Sequence, residues 1–193
     1  MKFLLLLSLL LANTLAQKSF ADNIERYTFD KDHTNIIMAV NHLGFSDLYL
    51  KTTTYDGHIM FNENDLTQSS VEITFEAMGI DGDHEGLNQH LQSADFFNVS
   101  KFEKIKFKST SIKAVDDKNL DIIGEITILG ITKPLTLNAV FNKAGENPFT
   151  KSYTIGFSAK TALKRSEFGM DYGLPLIGDD VNFIIEVEAN KEK

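Results

Sequence analysis

His90-Leu91-Gln92-Ser93-Ala94-Asp95-Phe96-Phe97-Asn98-Val99-Ser100-Lys101-Phe102-Glu103-Lys104-Ile105-Lys106-Phe107 changes its hydrophobic period halfway along. In the first half, Leu87, Leu91 and Ala94 fall at spacings of four and three, one face of a short helix around residues 85–95. In the second half, Ile105 and Phe107 alternate with Lys104 and Lys106, the period of a strand. Phe96 and Phe97 stand at the junction, where they can pin a helix to the end of a sheet.

Outward from this stretch the chain reads as strands. Ile36, Met38 and Val40 share one face, and His42 continues it. Leu48 to Phe61 reads as a two-part strand broken near Asp56-Gly57, a turn dipeptide. Val71-Ile73-Phe75-Ala77 alternates with Glu72, Thr74 and Glu76. Leu120–Leu129, Leu135-Leu137-Ala139-Phe141, Tyr153-Ile155-Phe157-Ala159 and Val181-Phe183-Ile185-Val187 follow. One apolar face per strand is the mark of antiparallel strands around an interior. Eight or so such strands make a sandwich or an up-and-down barrel, and a barrel can hold one small ligand. The large inward groups Phe75, Phe107, Phe157 and Phe183 suit a lined cavity and a packed core equally.

Lys2, the apolar run Phe3 to Ala12 and Ser19-Phe20-Ala21 form a secretory signal, with a second small-x-small site at Thr14-Leu15-Ala16. The apolar run is too short for a membrane span. The expected mature unit is a single exported domain, residues 22–193, in the periplasm. Removing the first 21 residues takes away Lys2 and Lys18 and no acid, so the net charge of -8 becomes -10. That surface disfavours nucleic acid and anionic headgroups. With no cysteine, there is no disulfide framework and no thiolate chemistry.

The polar motifs are sparse. Asp81-Gly82-Asp83-His84-Glu85-Gly86 resembles the start of a calcium loop, but Gln92 stands at the twelfth position and a helix begins inside it. A solvated acidic loop that caps a helix fits better. His84 and His90 do not have zinc-helix spacing, and His33 and His42 fall on opposite strand faces, so no metal is expected. The chain has no nucleophile elbow, no S-x-x-K and no phosphate-binding glycine loop, so no catalytic residue is assigned. His42 is either a buried imidazole bonded to a carbonyl or a donor to a ligand head group. Lys164 to Met170 is either a tucked loop or a gate, with Phe168 and Met170 flanking Gly169. Arg165 in that loop can meet a phosphate or a carbonyl.

Four ordered motifs resemble the YceI-like family, bacterial lipocalin-like proteins that bind polyisoprenoids. The family pattern H-S-x-I-x-F-x-V-x-H-L-G is matched by His33 to Gly44, and H-L-x-S-x-D-F-F by His90 to Phe97. L-x-G-x-L-T-I-x-G-x-T-K-P is matched by Ile122 to Pro134, and R-S-D-F-G-M by Arg165 to Met170 with Glu167 for aspartate. The chain departs from the family at Leu87-Asn88-Gln89, where Arg-Asp is usual, and at Glu103, where proline is usual.

The resemblance implies an all-β, eight-stranded antiparallel lipocalin-like barrel around an apolar tunnel. Its implied partner is an isoprenoid quinone or polyprenyl phosphate, with no cofactor and no known reaction. The tunnel residues would be Ile36, Met38, Val40, Phe75, Phe107, Phe157, Phe168, Met170 and Phe183, with His42 and Arg165 at the head group. A homodimer stays open.

Overall fold

The computed structural model describes residues 23–193. The export signal read at residues 1–21 lies outside the described residues.

Eleven strands follow in chain order: β1 Ile24–Phe29, β2 Asn35–His42, β3 Ser46–Thr52, β4 Tyr55–Asn62, β5 Ser70–Glu76, β6 Ile80–Asp81, β7 Lys104–Ala114, β8 Asn119–Ile128, β9 Ile131–Glu146, β10 Tyr153–Lys164 and β11 Ile177–Lys191. Three pairs of them are halves of longer runs. Both β1 and β2 lie antiparallel along β11, from Tyr27 opposite Lys191 to His42 opposite Ile177. β4 and β3 continue one another in the same way beside β1 and β2, and β5 and β6 beside those. Each run then pairs with the next in sequence, and β11 closes on β1. The result is a closed antiparallel barrel of eight runs with up-and-down order. Closure removes the free sheet edges that would invite association.

The three interruptions lie side by side and form a seam across one wall. The first is the turn at Lys31-Asp32-His33, where Asp30 accepts from the amides of Asp32 (3.0 Å) and Thr34 (2.9 Å). The second is Thr53-Thr54, and the third is the one-turn 3-10 helix Ala77–Gly79. Thr53 N donates to Gly79 O (2.9 Å), and Glu76 N to Thr54 O (3.0 Å). The break expected near Asp56-Gly57 therefore falls at Thr53-Thr54 instead. Gly57 is inside β4, where a Cβ would stand 2.2 Å from Glu72 O, so this glycine permits close strand approach rather than a turn.

Helix α1 spans Glu85–Gln92. It ends earlier than its apolar spacing suggests: Leu91 is buried, whereas Ala94 is exposed in the turns beyond. His84 caps it, with Nδ1 accepting from Leu87 N (3.2 Å). Asp81 takes the amide of Asp83 (2.9 Å) and Asn88 Nδ2 (2.8 Å), so the acidic loop is organised by its own hydrogen bonds. Phe96 stacks with His90 and Tyr172 at 5.0 and 5.6 Å, tying the helix to the β10–β11 loop, while Phe97 turns into the core.

At the other end of the barrel, Tyr27, Phe61, Phe141 and Phe157 form an aromatic plug with centroids 5.3–6.1 Å apart. Such offset and edge contacts add about 1 kcal/mol per pair beyond burial. Between plug and helix the interior is not completely filled.

Candidate functional site: an apolar interior in two chambers

Two cavities occupy the barrel axis. The larger, about 120 Å³, is walled by Phe29, Ile59, Ile73, Phe107, Ile122, Leu135, Leu137, Phe157, Ile185 and Val187 among others. The smaller, about 70 Å³, lies under the helix end and is walled by Met38, Thr52, Ile80, Phe97, Ile105, Ile128, Leu163, Met170 and Val181. Ile36, Phe75, Ile126 and Phe183 face both chambers and divide them. Among the described residues, no lysine, arginine, histidine, aspartate or glutamate lines either chamber. An apolar void of this kind stays dry, and one of about 150 Å³ is enough for a single benzene-sized group.

The inward positions arise from strand parity. On β2, Ile36, Met38 and Val40 point in; on β5, Ile73 and Phe75; on β7, Ile105 and Phe107; on β11, Val181, Phe183, Ile185 and Val187. Of the residues expected to line a tunnel, Ile36, Phe75, Phe107, Phe157 and Phe183 reach the larger chamber. Met38 and Met170 reach the smaller. Val40 and Phe168 are buried but line neither. Thr52 and Phe97 escaped the reading. Phe97 lies in a loop without a period, and Thr52 reads as a polar break in a strand whose parity nevertheless turns it inward after Leu48 and Leu50.

Of the two head-group candidates, His42 stands elsewhere than expected, and Arg165 meets carbonyls, one of its two expected partners. His42 is exposed, as is Asn41, because β2 runs past the covered part of the barrel before the turn at Leu43-Gly44. Its carbonyl accepts from Phe45 N (3.1 Å), and its side chain lines neither chamber.

Arg165 is buried, 3% exposed. Its guanidinium donates through Nε to Gly178 O (2.8 Å), through Nη1 to Met170 O (2.8 Å) and through Nη2 to Ile177 O (3.0 Å). Burial lowers its pKa, with Asp179 and Asp171 opposing, yet arginine remains a cation at any working pH. Asp179 accepts from Ser166 N and Oγ, both at 2.9 Å, fastening the same loop. Gly169, at φ +84°, ends the 3-10 turn Arg165–Phe168 with the left-handed conformation glycine tolerates. Arg165 is therefore a pin through the β10–β11 loop, the tucked loop rather than a free cation.

A third polar grouping lies at the first interruption of the seam. Asp30, His33 and Glu188 bring their side-chain donor atoms within 4.8 Å of one another. Asp30 Oδ2 already contacts His33 Nδ1 (2.9 Å) and Asn190 Nδ2 (3.3 Å). Glu188 is too distant in sequence for spacing to reveal it.

Comparison with known proteins gives concordant results. The family model described as a YceI-like domain matches residues 27–189. A UPF0312 protein of Pectobacterium atrosepticum is 36% identical over 190 residues, covering 97% of each chain. The crystal structure of the Campylobacter jejuni YceI protein superposes with a TM-score of 0.71 at 26% identity, over 79% of this chain and 90% of that one. A polyisoprenoid binding domain from Saccharophagus degradans superposes with a TM-score of 0.68 at 6% identity, over 88% and 99%, which speaks to the fold.

Proposed function

This chain belongs to the YceI-like domain family, and we propose that it is an exported, periplasmic carrier that encloses the tail of an isoprenoid lipid. The observation that carries the reading is the charge-free, two-chambered interior of a closed barrel. A solved relative in fold is described as a polyisoprenoid binding domain. Binders of this kind bury an apolar ligand among apolar side chains and orient it with few polar groups. The reading is of a binding protein, not of an enzyme.

Energetics limit how the tail is held. At about 0.8 kcal/mol per buried carbon, one five-carbon unit contributes roughly 4 kcal/mol gross. Eight units would give roughly 30, above the ceiling of about 20 for noncovalent binding. The chambers as they stand take much less than such a tail. Loading must rotate the dividing residues Ile36, Phe75, Ile126 and Phe183, and that repacking offsets part of the gain. A carrier benefits, because a ligand held at the ceiling would not be released.

Native mass spectrometry of protein purified without detergent, followed by solvent extraction, tests the proposal. The expected result is an added mass released as an isoprenoid quinone or polyprenyl phosphate. A bare protein mass that persists after incubation with such lipids would make the barrel a ligand-free structural module.

A further inference from the structure

Two turns meet at the helix end of the barrel, the β2–β3 turn at residues 43–45 and the β10–β11 loop at residues 171–176. Leu43 N donates to Leu176 O (3.1 Å) and joins them. Four large apolar side chains leave this junction for solvent: Phe45 at 89% exposure, Leu176 at 68%, and Leu43 and Tyr172 at nearly half. The backbone that carries them is fixed. Phe45 N donates to His42 O (3.1 Å), Gly44 N to Asn41 Oδ1 (2.9 Å) and Ile177 N to Gly173 O (2.9 Å). Tyr172 is held from the side by the rings of His90 and Phe96. Leu43 also takes φ +59° beside Gly44 at +76°. That region suits asparagine or glycine in a turn and penalises a bulky side chain. An apolar tip is thus kept there against the local backbone preference, a mark of functional sites.

The place of the patch is specific. β2 reaches its turn two residues beyond Val40, after Met38 in the wall of the smaller chamber. Leu176 precedes β11, which descends to Val181 in the same wall, and Met170 in that wall precedes the loop directly. The apolar tips therefore crown the chamber end of the barrel. Phe149 is a contrast: it tips the β9–β10 hairpin beyond the aromatic plug singly, between polar Asn147 and Thr150. Single exposed apolar residues are ordinary, whereas a cluster ringed by polar groups marks a surface that docks.

Shape and charge say what covers it. Side chains as exposed as Phe45 and Leu176 stand clear of their neighbours, as points rather than as the walls of a groove. Projecting points bury themselves in a deformable apolar medium without needing a complementary pocket. Residues 41–47 and 171–177 hold no lysine or arginine, and Asp47 and Asp171 flank the tips. That charge is matched to a headgroup layer with no net charge and is repelled by an anionic one.

Resting on the carrier reading, we propose that Leu43, Phe45, Tyr172 and Leu176 insert into a zwitterionic lipid bilayer surface and set the chamber end of the barrel against it. An isoprenoid tail then passes between bilayer and barrel through this end without crossing water, and the plug end faces away.

Flotation of the full-length mature protein with phosphatidylcholine vesicles tests this. The parent floats with the vesicles, and less of it floats with vesicles containing phosphatidylglycerol. Phe45→Ser combined with Leu176→Ser weakens partition by roughly tenfold or more, while Phe149→Ser leaves it unchanged. Leu43→Asn weakens it by roughly three- to tenfold and keeps or raises the melting temperature, because asparagine accepts the left-handed turn. A parent that stays with the soluble fraction, a double variant that floats as well as the parent, or stronger flotation on phosphatidylglycerol each overturns the docking assignment. So does a dimer of the parent in sedimentation that the double variant loses, since a second copy would then cover the patch. Geraniol binding without vesicles tests the carrier reading separately, and the double variant should match the parent in it. Failure of both proteins to bind geraniol overturns that reading, and the loading role of this face with it, whatever the vesicles show.

Discussion

The guanidinium of Arg165 and the hydroxyl of Thr52 are both buried polar groups toward the helix end of the barrel, and they differ in what surrounds them. Arg165 sits in a loop whose carbonyls converge on it, so each of its three nitrogens donates to the chain. Thr52 ends β3 on a barrel wall whose neighbours are apolar, so its hydroxyl, shut away from solvent and chamber alike, finds no partner in the chain. Polarity inside a protein therefore says little by itself about ligands. What matters is whether the fold has already satisfied it. The residue with the more conspicuous chemistry is structural, and the inconspicuous one is left unbonded.

The largest effect should come from breaking the arginine side of this comparison. Arg165→Met removes the charge-assisted hydrogen bonds and leaves the carbonyls of Met170, Ile177 and Gly178 without that donor. A loss of about 3–5 kcal/mol is expected in urea unfolding. Unaltered stability together with a selective loss of phosphate-lipid binding would show that Arg165 serves the ligand after all.

A smaller effect is expected at the partition between chambers. Phe75→Ala merges the two voids and should destabilise the empty barrel by about 2–4 kcal/mol. The same change spares the ligand the work of displacing the ring. Bound lipid should thus restore more stability to Phe75→Ala than to the parent, read as the shift in urea midpoint on loading. An equal shift in both proteins would mean that Phe75 does not gate the passage.

The smallest effect belongs to a polar pair intermediate between the two, an exposed His33 and a half-buried Asp30 that satisfy one another. The hydrogen bond that His33 donates to Asp30, with help from the charges of Asp30, Glu188 and Asp32, raises the pKa of His33 above 6.5. Burial works against Asp30, but hydrogen bonds from His33 and the Asp32 amide hold its carboxyl below 3.8. The histidine's contribution is complete below its ordinary value and fades as pH rises through the elevated one. The carboxylate's contribution is complete above its ordinary value and fades as pH falls through the depressed one. The pair is therefore most stabilising between roughly pH 4 and 6.5. The urea midpoint of the parent should fall on going from mildly acidic to mildly alkaline buffer by more than that of His33→Asn. Parallel pH profiles would show that the contact adds nothing in solution.

Much of the fold was legible in residues. Alternation at Val71-Ile73-Phe75, at Ile105-Phe107 and at Val181-Phe183-Ile185-Val187 placed the inward faces, since strand parity is a local property. Leu87 and Leu91 announced the helix by their spacing, although its end at Gln92 depended on how the chain turned toward Phe97. Gly57 misled because a glycine needed for a turn and one needed for close approach to a neighbouring strand look alike until the neighbour is in place. His42 misled because parity carries on past the rim, whereas burial stops there.

The sequence by itself determined an all-β chain with apolar faces, one short helix and an interior poor in charge, because each of these follows from neighbours within a few residues. Only the tertiary structure decided that β11 closes on β1, that three breaks align into a seam, and that the interior divides at Ile36, Phe75, Ile126 and Phe183. It alone decided that Arg165 is satisfied and Thr52 is not. Whether a polar atom finds a partner depends on groups brought together from distant parts of the chain, and no local pattern encodes that meeting.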